Sequence, residues 1–133
     1  MQKGILSLQN LVTIRYGEPS FNPFNGKVEP ATHEMLKIAG KGASWECIFY
    51  DAAQSACIIH ADRPLECRLL ECWNTKAIEA VSGKGCIDRF DLVADQDPIR
   101  DHITRHEQQC SYAKALPLLE HLSSSQAIAA TIA

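Results

Sequence analysis

Four of the six cysteines in this 133-residue chain fall within 26 consecutive residues, at Cys47, Cys57, Cys67 and Cys72. Cysteines that merely fill a core have no reason to be so concentrated. In a reducing compartment such a cluster serves metal binding or redox chemistry, whereas in a secreted protein it forms disulfides. The compartment therefore decides which structure and chemistry the cluster supports.

The N-terminal segment gives the first indication of the compartment. Residues 1–15 carry one early lysine, but Ser7, Gln9 and Asn10 interrupt the apolar run that a secretory signal peptide needs. Charged residues recur too often further along for any stretch to reach the ~18 consecutive apolar residues of a membrane span. We therefore predict a soluble, cytoplasmic protein with no membrane partner.

Length and charge limit the organisation and the partners. A chain of 133 residues, 46% of them hydrophobic, predicts a single domain, which we place at residues 1–122. Residues 123–133 carry little charge and no capping signal, so we expect a flexible tail there. The formal charge of -3 gives no reason to expect nucleic acid as a partner, and the sequence indicates no particular protein partner.

The first half of the chain has strand signals. Short apolar or β-branched runs at residues 11–15 and 35–38 predict two strands. Residues 45–50 and 56–60 flank the polar stretch 51–55, which predicts a β-hairpin. Cys47 and Cys57 would then lie on neighbouring strands, close enough to supply two ligands to one ion.

Helical periodicity begins after His60. Asp62 is suited to cap a helix and Pro64 to occupy its first turn, which would place Cys67 near the helix N-terminus. Apolar residues then recur at helical spacing as far as Gly83, namely Leu65, Leu69, Leu70, Trp73, Ala77 and Val81.

Two further helices are predicted downstream. Asp97 followed by Pro98 indicates a helix start, and this helix would run to about Cys110. Another is expected over residues 112–122, with Pro117 as a kink or restart. The predicted fold class is therefore α+β: a small β-hairpin and short-strand region followed by two to three helices, organised around a cysteine metal site.

The cysteines supply donor atoms that zinc and iron–sulfur clusters require. Zinc takes four thiolate or imidazole ligands, and iron–sulfur clusters are also held by thiolates. Cys47, Cys57 and Cys67 would come from two strands and a helix start, where a helix N-terminus lowers the pKa of a thiol. Cys72 is also a candidate ligand, but in a continuous helix it would be turned ~140° away from Cys67, which favours a core position.

Two arginines near the cysteines are candidate contacts to the bound metal group. Arg63 and Arg68 could donate hydrogen bonds or supply positive charge to anionic thiolates around a zinc or iron centre. Composition alone equally allows Arg63 to be a surface residue and Arg68 to be a solvated helix residue.

A second set of possible ligands lies on the downstream helix. His102, His106 and Cys110 follow one another at four-residue spacing, which places them on one helical face. His106 and Cys110 are the stronger pair of candidate metal ligands. His106 also continues an apolar stripe, so a packed, hydrogen-bonded histidine is the favoured alternative, and Glu107 is expected to be solvated.

Catalytic motifs do not emerge from the sequence. The chain has no Gly-x-Ser-x-Gly elbow, no phosphate-binding glycine loop and no His-Glu-x-x-His motif. Cys67 with His60 or His106 is a conceivable nucleophile and base, but several thiols gathered together favour coordination. We therefore expect a binding function rather than an enzymatic one, and we interpret Cys86 as structural.

The spacing of these residues resembles that of the YkgJ-type cysteine-cluster proteins, which are described as zinc- or iron-chelating domains. The resemblance covers most of the chain and rests on these segments: Trp45-x-Cys-x-Phe-Tyr-Asp51, Cys57-x-Ile-His-x-x-Arg-Pro-Leu-Glu-Cys-Arg68, Glu71-Cys-Trp73, Leu11-Val-Thr-Ile-Arg-x-Gly-Glu18, His33-Glu-Met-x-Lys-Ile38 and His106-Glu-x-x-Cys-Ser-Tyr112. It implies metal binding through Cys47, Cys57 and Cys67.

The chain departs from that family at one point. The family opens with a motif of the Cys-x-x-Cys-Gly-x-Cys-Cys kind, and no cysteine precedes Cys47 here. Either the start is truncated, or the metal has been lost, or fewer ligands suffice. In the last case the recruited ligands would be Cys72, His60, His106 or Cys110.

Two alternatives to metal binding follow. The resemblance extends to cluster-bearing lysine methylases, although the chain has no glycine-rich loop for a methyl donor. The other alternative is a metal-free interaction domain that uses its cysteines as core residues.

Overall fold

The computed structural model of the chain describes residues 5–71 and 73–131, and from residue 123 onward it describes the backbone alone. Two compact units make up the described chain. The first unit contains the residues up to Thr13 together with Met35–Asp88, and the second contains Ile14–Glu34 together with the residues from Arg89 onward. The predicted single domain over residues 1–122 was drawn from length alone and stays a prediction.

The described residues form short strands and helices, which confirms the α+β class. The strands are β1 (Leu11–Ile14), β2 (Pro19–Asn22), β3 (Lys27–Pro30), β4 (Met35–Ile38), β5 (Gly40–Lys41), β6 (Glu46–Cys47), β7 (Tyr50–Asp51) and β8 (Ala56–Cys57). The helices are α1 (Leu65–Leu69), α2 (Lys76–Val81), α3 (Arg89–Leu92), α4 (Ile99–Gln109) and α5 (Tyr112–Thr131). None of the described helices has the length and apolar character needed to cross a membrane.

The strands of the described chain associate two by two. β1 pairs with β4, which confirms both strands predicted from the first third of the sequence. β2 pairs antiparallel with β3 in the second unit, while β5 pairs with β6 and β7 with β8 in the first. Because two-stranded sheets bury little surface, these pairs need other elements against which to pack.

The predicted hairpin around the cysteines exists in a smaller form. Tyr50 lies opposite Cys57 in the pair of β7 and β8, but Cys47 lies opposite Gly40 in the separate pair of β5 and β6. The expectation that Cys47 and Cys57 occupy paired strands is therefore wrong. A 3₁₀ turn at residues 42–44 and a left-handed Trp45 (φ 54°) fold the chain back onto Gly40 before it reaches Tyr50.

The helix predicted from Pro64 to Gly83 is broken. α1 ends at Leu69, and α2 begins only at Lys76. Asn74 and Thr75 explain the restart, because Asn74 Oδ1 accepts a hydrogen bond from the backbone N–H of Lys76 at 3.3 Å. Side chains of this kind compete with a continuing helix and favour a new start.

The start of α1 differs from the prediction in one detail. Cys67 lies in the first turns of a helix, as expected, but Asp62 does not cap it. Asp62 instead ends a 3₁₀ turn over His60–Asp62, and Arg63 is extended (ψ 140°) because it precedes a proline. Pro64 therefore takes the capping position directly before α1, and no side chain caps the helix.

The second unit contains the longer helices. α4 begins as predicted, with Asp97 Oδ1 accepting a hydrogen bond from the Ile99 N–H at 2.9 Å. α5 begins at Tyr112 and includes Pro117, as expected, but its backbone remains helical as far as Thr131. A helical backbone thus covers most of the expected tail, whose flexibility stays a prediction.

Candidate metal centre

Three thiols of the first unit form the candidate centre. Cys47 ends β6, Cys57 ends β8 and Cys67 lies in the middle of α1. Cys47 and Cys67 are exposed and Cys57 is half-buried, and all three are free thiols. Cysteine is among the most frequently buried residue types, so thiols that fill a core would not be placed in this way.

The pKa of the Cys67 thiol depends on the other two thiols. Partial loss of water around its sulfur is the largest cause that raises the pKa of the Cys67 thiol, and negative charge on Cys47, Glu66 and Cys57 raises it further. Cys47 and Cys57 therefore lie near enough for a thiolate at either to disfavour a thiolate at Cys67.

This raised pKa contradicts the lowered pKa that we expected for Cys67. The expectation rested on the dipole of a helix N-terminus, but α1 has only five residues. A dipole sums over aligned peptide units, so a single turn provides little of it. Loss of water around the sulfur, together with the neighbouring negative groups, therefore outweighs the effect of the dipole on the pKa of Cys67.

Arg63 lies beside the centre, as one of the two sequence interpretations anticipated. Its Nε donates a hydrogen bond to the backbone carbonyl of His60 at 3.0 Å, and its positive charge acts to lower the pKa of Cys67. Arg68 is exposed on α1. His60 is itself exposed within the preceding 3₁₀ turn.

The described thiols do not form a finished ligand set. Within residues 5–71 and 73–131, no three His, Cys, Asp or Glu side chains are grouped as a metal ion requires. Cys72 lies outside the described residues. The predicted orientation of Cys72 away from Cys67 applies only to a continuous helix, and α1 ends at Leu69.

The downstream candidates belong to the second unit. His102 and His106 are exposed on α4, and Cys110 follows its last residue. His106 Nδ1 lies 3.9 Å from Glu107 Oε1, and its side chain is 52% exposed, so the packed histidine that we favoured is wrong. The ligand role of His106 and Cys110 stays a prediction, as does the structural role of half-buried Cys86.

The second unit also contains a charged network that sequence reasoning missed. Glu107, expected to be solvated, accepts hydrogen bonds from Arg15 Nε at 2.6 Å and from Arg89 Nη2 at 2.7 Å. Arg89 also donates to both carboxylate oxygens of Glu34, and Arg15 donates to the carbonyl of Cys110 at 2.7 Å. The network joins α4 to segments far away in sequence.

The network has a clear electrostatic signature. Hydrogen bonding from Arg15, aided by Arg89 and opposed by burial, lowers the pKa of the Glu107 carboxyl to about 2. Hydrogen bonds from Arg89 likewise lower the pKa of Glu34, and the pKa of each arginine is raised. Four fully ionised groups therefore hold the second unit together at neutral pH.

Comparison of the chain with protein-family models, with characterised proteins and with solved structures yields no match. The resemblance to the YkgJ-type proteins therefore stays a prediction, and the argument for function depends on the site itself.

Proposed function

We propose that this chain is a metal-binding protein in which Cys47, Cys57 and Cys67 hold zinc, iron or an iron–sulfur cluster. Its role is structural or lies in metal handling. Because thiolate ligands have to stay reduced to bind metal, we also propose a reducing compartment such as the cytoplasm. The observation that carries the proposal is the electrostatic proximity of three incompletely buried thiols within one unit.

A bound cation would make a group of neighbouring thiolates energetically favourable. Partial loss of water around the sulfur raises the pKa of Cys67, and negative charge on Cys47, Glu66 and Cys57 raises it further because neighbouring thiolates repel one another. A bound metal ion replaces this repulsion by attraction and displaces the thiol protons. Soft sulfur donors suit zinc and iron–sulfur clusters, whereas calcium and magnesium prefer oxygen. Arg63 would balance the excess negative charge.

Metal binding would also compensate for the small core of the first unit. Phe49 is the buried hydrophobic side chain of this unit among the described residues. Small units with so little burial generally need a metal or a disulfide to be stable. We propose that the metal draws the three sulfurs together and that Cys72 supplies the fourth ligand.

The test compares metal content among cysteine variants purified without oxygen. Wild-type protein should carry about one zinc ion per chain, or iron with sulfide and a brown colour. Cys47→Ser, Cys57→Ser and Cys67→Ser should each lower the content several-fold. Cys86→Ser is the matched control, because it removes another free thiol from the same unit, and it should retain metal.

Two results would refute the proposal. One is less than about a tenth of a metal ion per wild-type chain after anaerobic reconstitution with both zinc and iron. The other is a Cys67→Ser variant that retains as much metal as the Cys86→Ser control. Loss of metal from His106→Ala or Cys110→Ser would instead identify these residues as ligands.

A further inference from the structure

The hairpin formed by β2 and β3 has an apolar face that is open to solvent. Its register pairs Pro19 with Pro30 and Phe21 with Val28, and because side chains alternate along a strand these four share one face. Phe21 is 65% and Val28 67% exposed, and both prolines are exposed as well. A hairpin that packs on one side normally buries its apolar face, whereas here the apolar face is open to solvent along with Lys27 and Glu29 of the polar one.

The other face of this hairpin is polar and already hydrogen-bonded. Glu29 accepts hydrogen bonds from Asn22 Nδ2 at 2.6 Å and from Asn25 Nδ2 at 3.2 Å. Asn25 Oδ1 accepts a further hydrogen bond from the Lys27 N–H at 2.9 Å. These bonds fix the turn, so the apolar face is presented with little conformational entropy left to lose on binding.

The hairpin edges are poorly suited to pairing with another strand. Pro19 and Pro30 have no N–H group to donate, and proline on an edge strand is a common device against edge-to-edge association. A partner would therefore contact the face of the hairpin.

The hairpin has an exposed apolar side chain at its tip and a groove at its base. Phe24 lies in the turn at the tip and is 51% exposed. At the base, a groove of about 380 Å³ is lined mainly by apolar side chains that include Tyr16, Pro30 and Leu116. A phenylalanine fits within that volume. If two hairpins pack face to face in opposite directions, the tip of each meets the base of the other.

The exposed side chains of the hairpin face supply apolar area for an interface. A specific interface of standard size takes about 800 Å² from each partner. Phe21 is 65% and Phe24 51% exposed, so each has about half or more of the ~150–250 Å² of a whole aromatic side chain left to bury. Val28 and the prolines of the face, with exposed Tyr16 at the groove, add to this area.

We propose that the apolar hairpin face binds a second copy of this chain about a two-fold axis, with Phe24 of each copy in the basal groove of the other. Such an interface is self-complementary, since one surface provides both the protruding group and the groove. The face has no charged side chain at its centre with which a foreign partner could form ion pairs. This association is independent of the proposed metal.

Sedimentation equilibrium of the full-length, metal-loaded protein tests the proposal. Wild-type protein should reach about 29 kDa, twice the 14.7 kDa of the chain. Phe24→Ser should weaken the dimer by at least ~30-fold, as loss of an interface anchor does. Leu118→Ser is the control, because it removes an exposed apolar side chain of the same unit outside the hairpin, and it should remain dimeric.

A second measurement needs no substitution. Amide hydrogen exchange in residues 19–30 should slow when the wild-type concentration rises from ~2 to ~200 µM. A wild-type monomer at ~200 µM would overturn the proposal, as would a dimer that is equally stable in Phe24→Ser. A monomer that sediments with phosphatidylglycerol vesicles would assign the face to lipid instead. A Cys67→Ser variant should still dimerise.

Discussion

Replacing Glu107 by glutamine tests the charged network of the second unit. The substitution keeps the size of the side chain and removes its charge. Arg15 and Arg89 then donate to an uncharged amide oxygen in place of a carboxylate oxygen, which weakens both hydrogen bonds. Neither arginine is stranded, because Arg89 keeps Glu34 and Arg15 keeps the carbonyl of Cys110. The measured change in stability therefore reflects the charge on Glu107 together with the hydrogen bond from Arg15 Nη2 to Glu107 Oε2 at 2.9 Å, because the amide nitrogen of glutamine cannot accept it.

The size of the effect follows from the pKa of Glu107. A fall from the ordinary 4.5 to about 2, at about 1.4 kcal/mol per pKa unit, corresponds to about 3 kcal/mol. The side chain is 27% exposed, so solvent and salt reduce this to about 1–2 kcal/mol. Since folding lowers the pKa, the contribution is complete above pH ~5 and is lost as the pH falls towards 2.

Urea unfolding followed by circular dichroism at 222 nm measures this effect, because α4 and α5 provide most of the helix. At pH 7, Glu107→Gln should lower the free energy of unfolding by about 1–2 kcal/mol. At pH 2.5 the difference should be several-fold smaller, because the carboxyl of Glu107 is then partly protonated in the folded protein. Glu34, whose pKa is also lowered, keeps part of the pH dependence in both proteins. Glu120→Gln, at an exposed position of the same unit, should change little. An equal loss at both pH values would refute the reasoning.

Three further substitutions test local features of the structure. Gly40→Ala would bring a Cβ atom to within 2.6 Å of Trp45 Cα, so we expect a loss of at least ~2 kcal/mol in tryptophan-monitored unfolding. Gly26→Ala meets no neighbouring atom but keeps φ at 69°, so a loss of only ~1–2 kcal/mol is expected. Arg63→Met removes a positive charge that acts to lower the pKa of Cys67, so Cys67 of the metal-free protein should react more slowly with iodoacetamide at pH 8.

Local signals in the sequence predict much of the fold. Asp97 and Pro98 predict the start of α4, and this start is confirmed. The side chain of Asp97 accepts a hydrogen bond from the backbone N–H two residues further along the chain. The break between α1 and α2 was missed because apolar spacing continues through it. Asn74 and Thr75 are the signals that could have revealed it, since both favour helix starts over helix interiors.

The features that the sequence does not predict depend on contacts between residues far apart in the chain. Glu107 lies 92 residues from Arg15 and 18 from Arg89, and no local pattern marks such pairs. The same limit applies to the centre. Cysteine spacing indicated Cys47, Cys57 and Cys67 as a group, but the pKa of Cys67 depends on how three separate segments meet.

X-ray absorption at the zinc or iron edge of the anaerobically purified protein tests the proposed metal centre most directly. The account predicts three or four sulfur ligands at about 2.3 Å for either metal. One of them should be lost or replaced by an oxygen ligand in Cys67→Ser. A first shell of oxygen and nitrogen alone would contradict the assignment of Cys47, Cys57 and Cys67 as ligands.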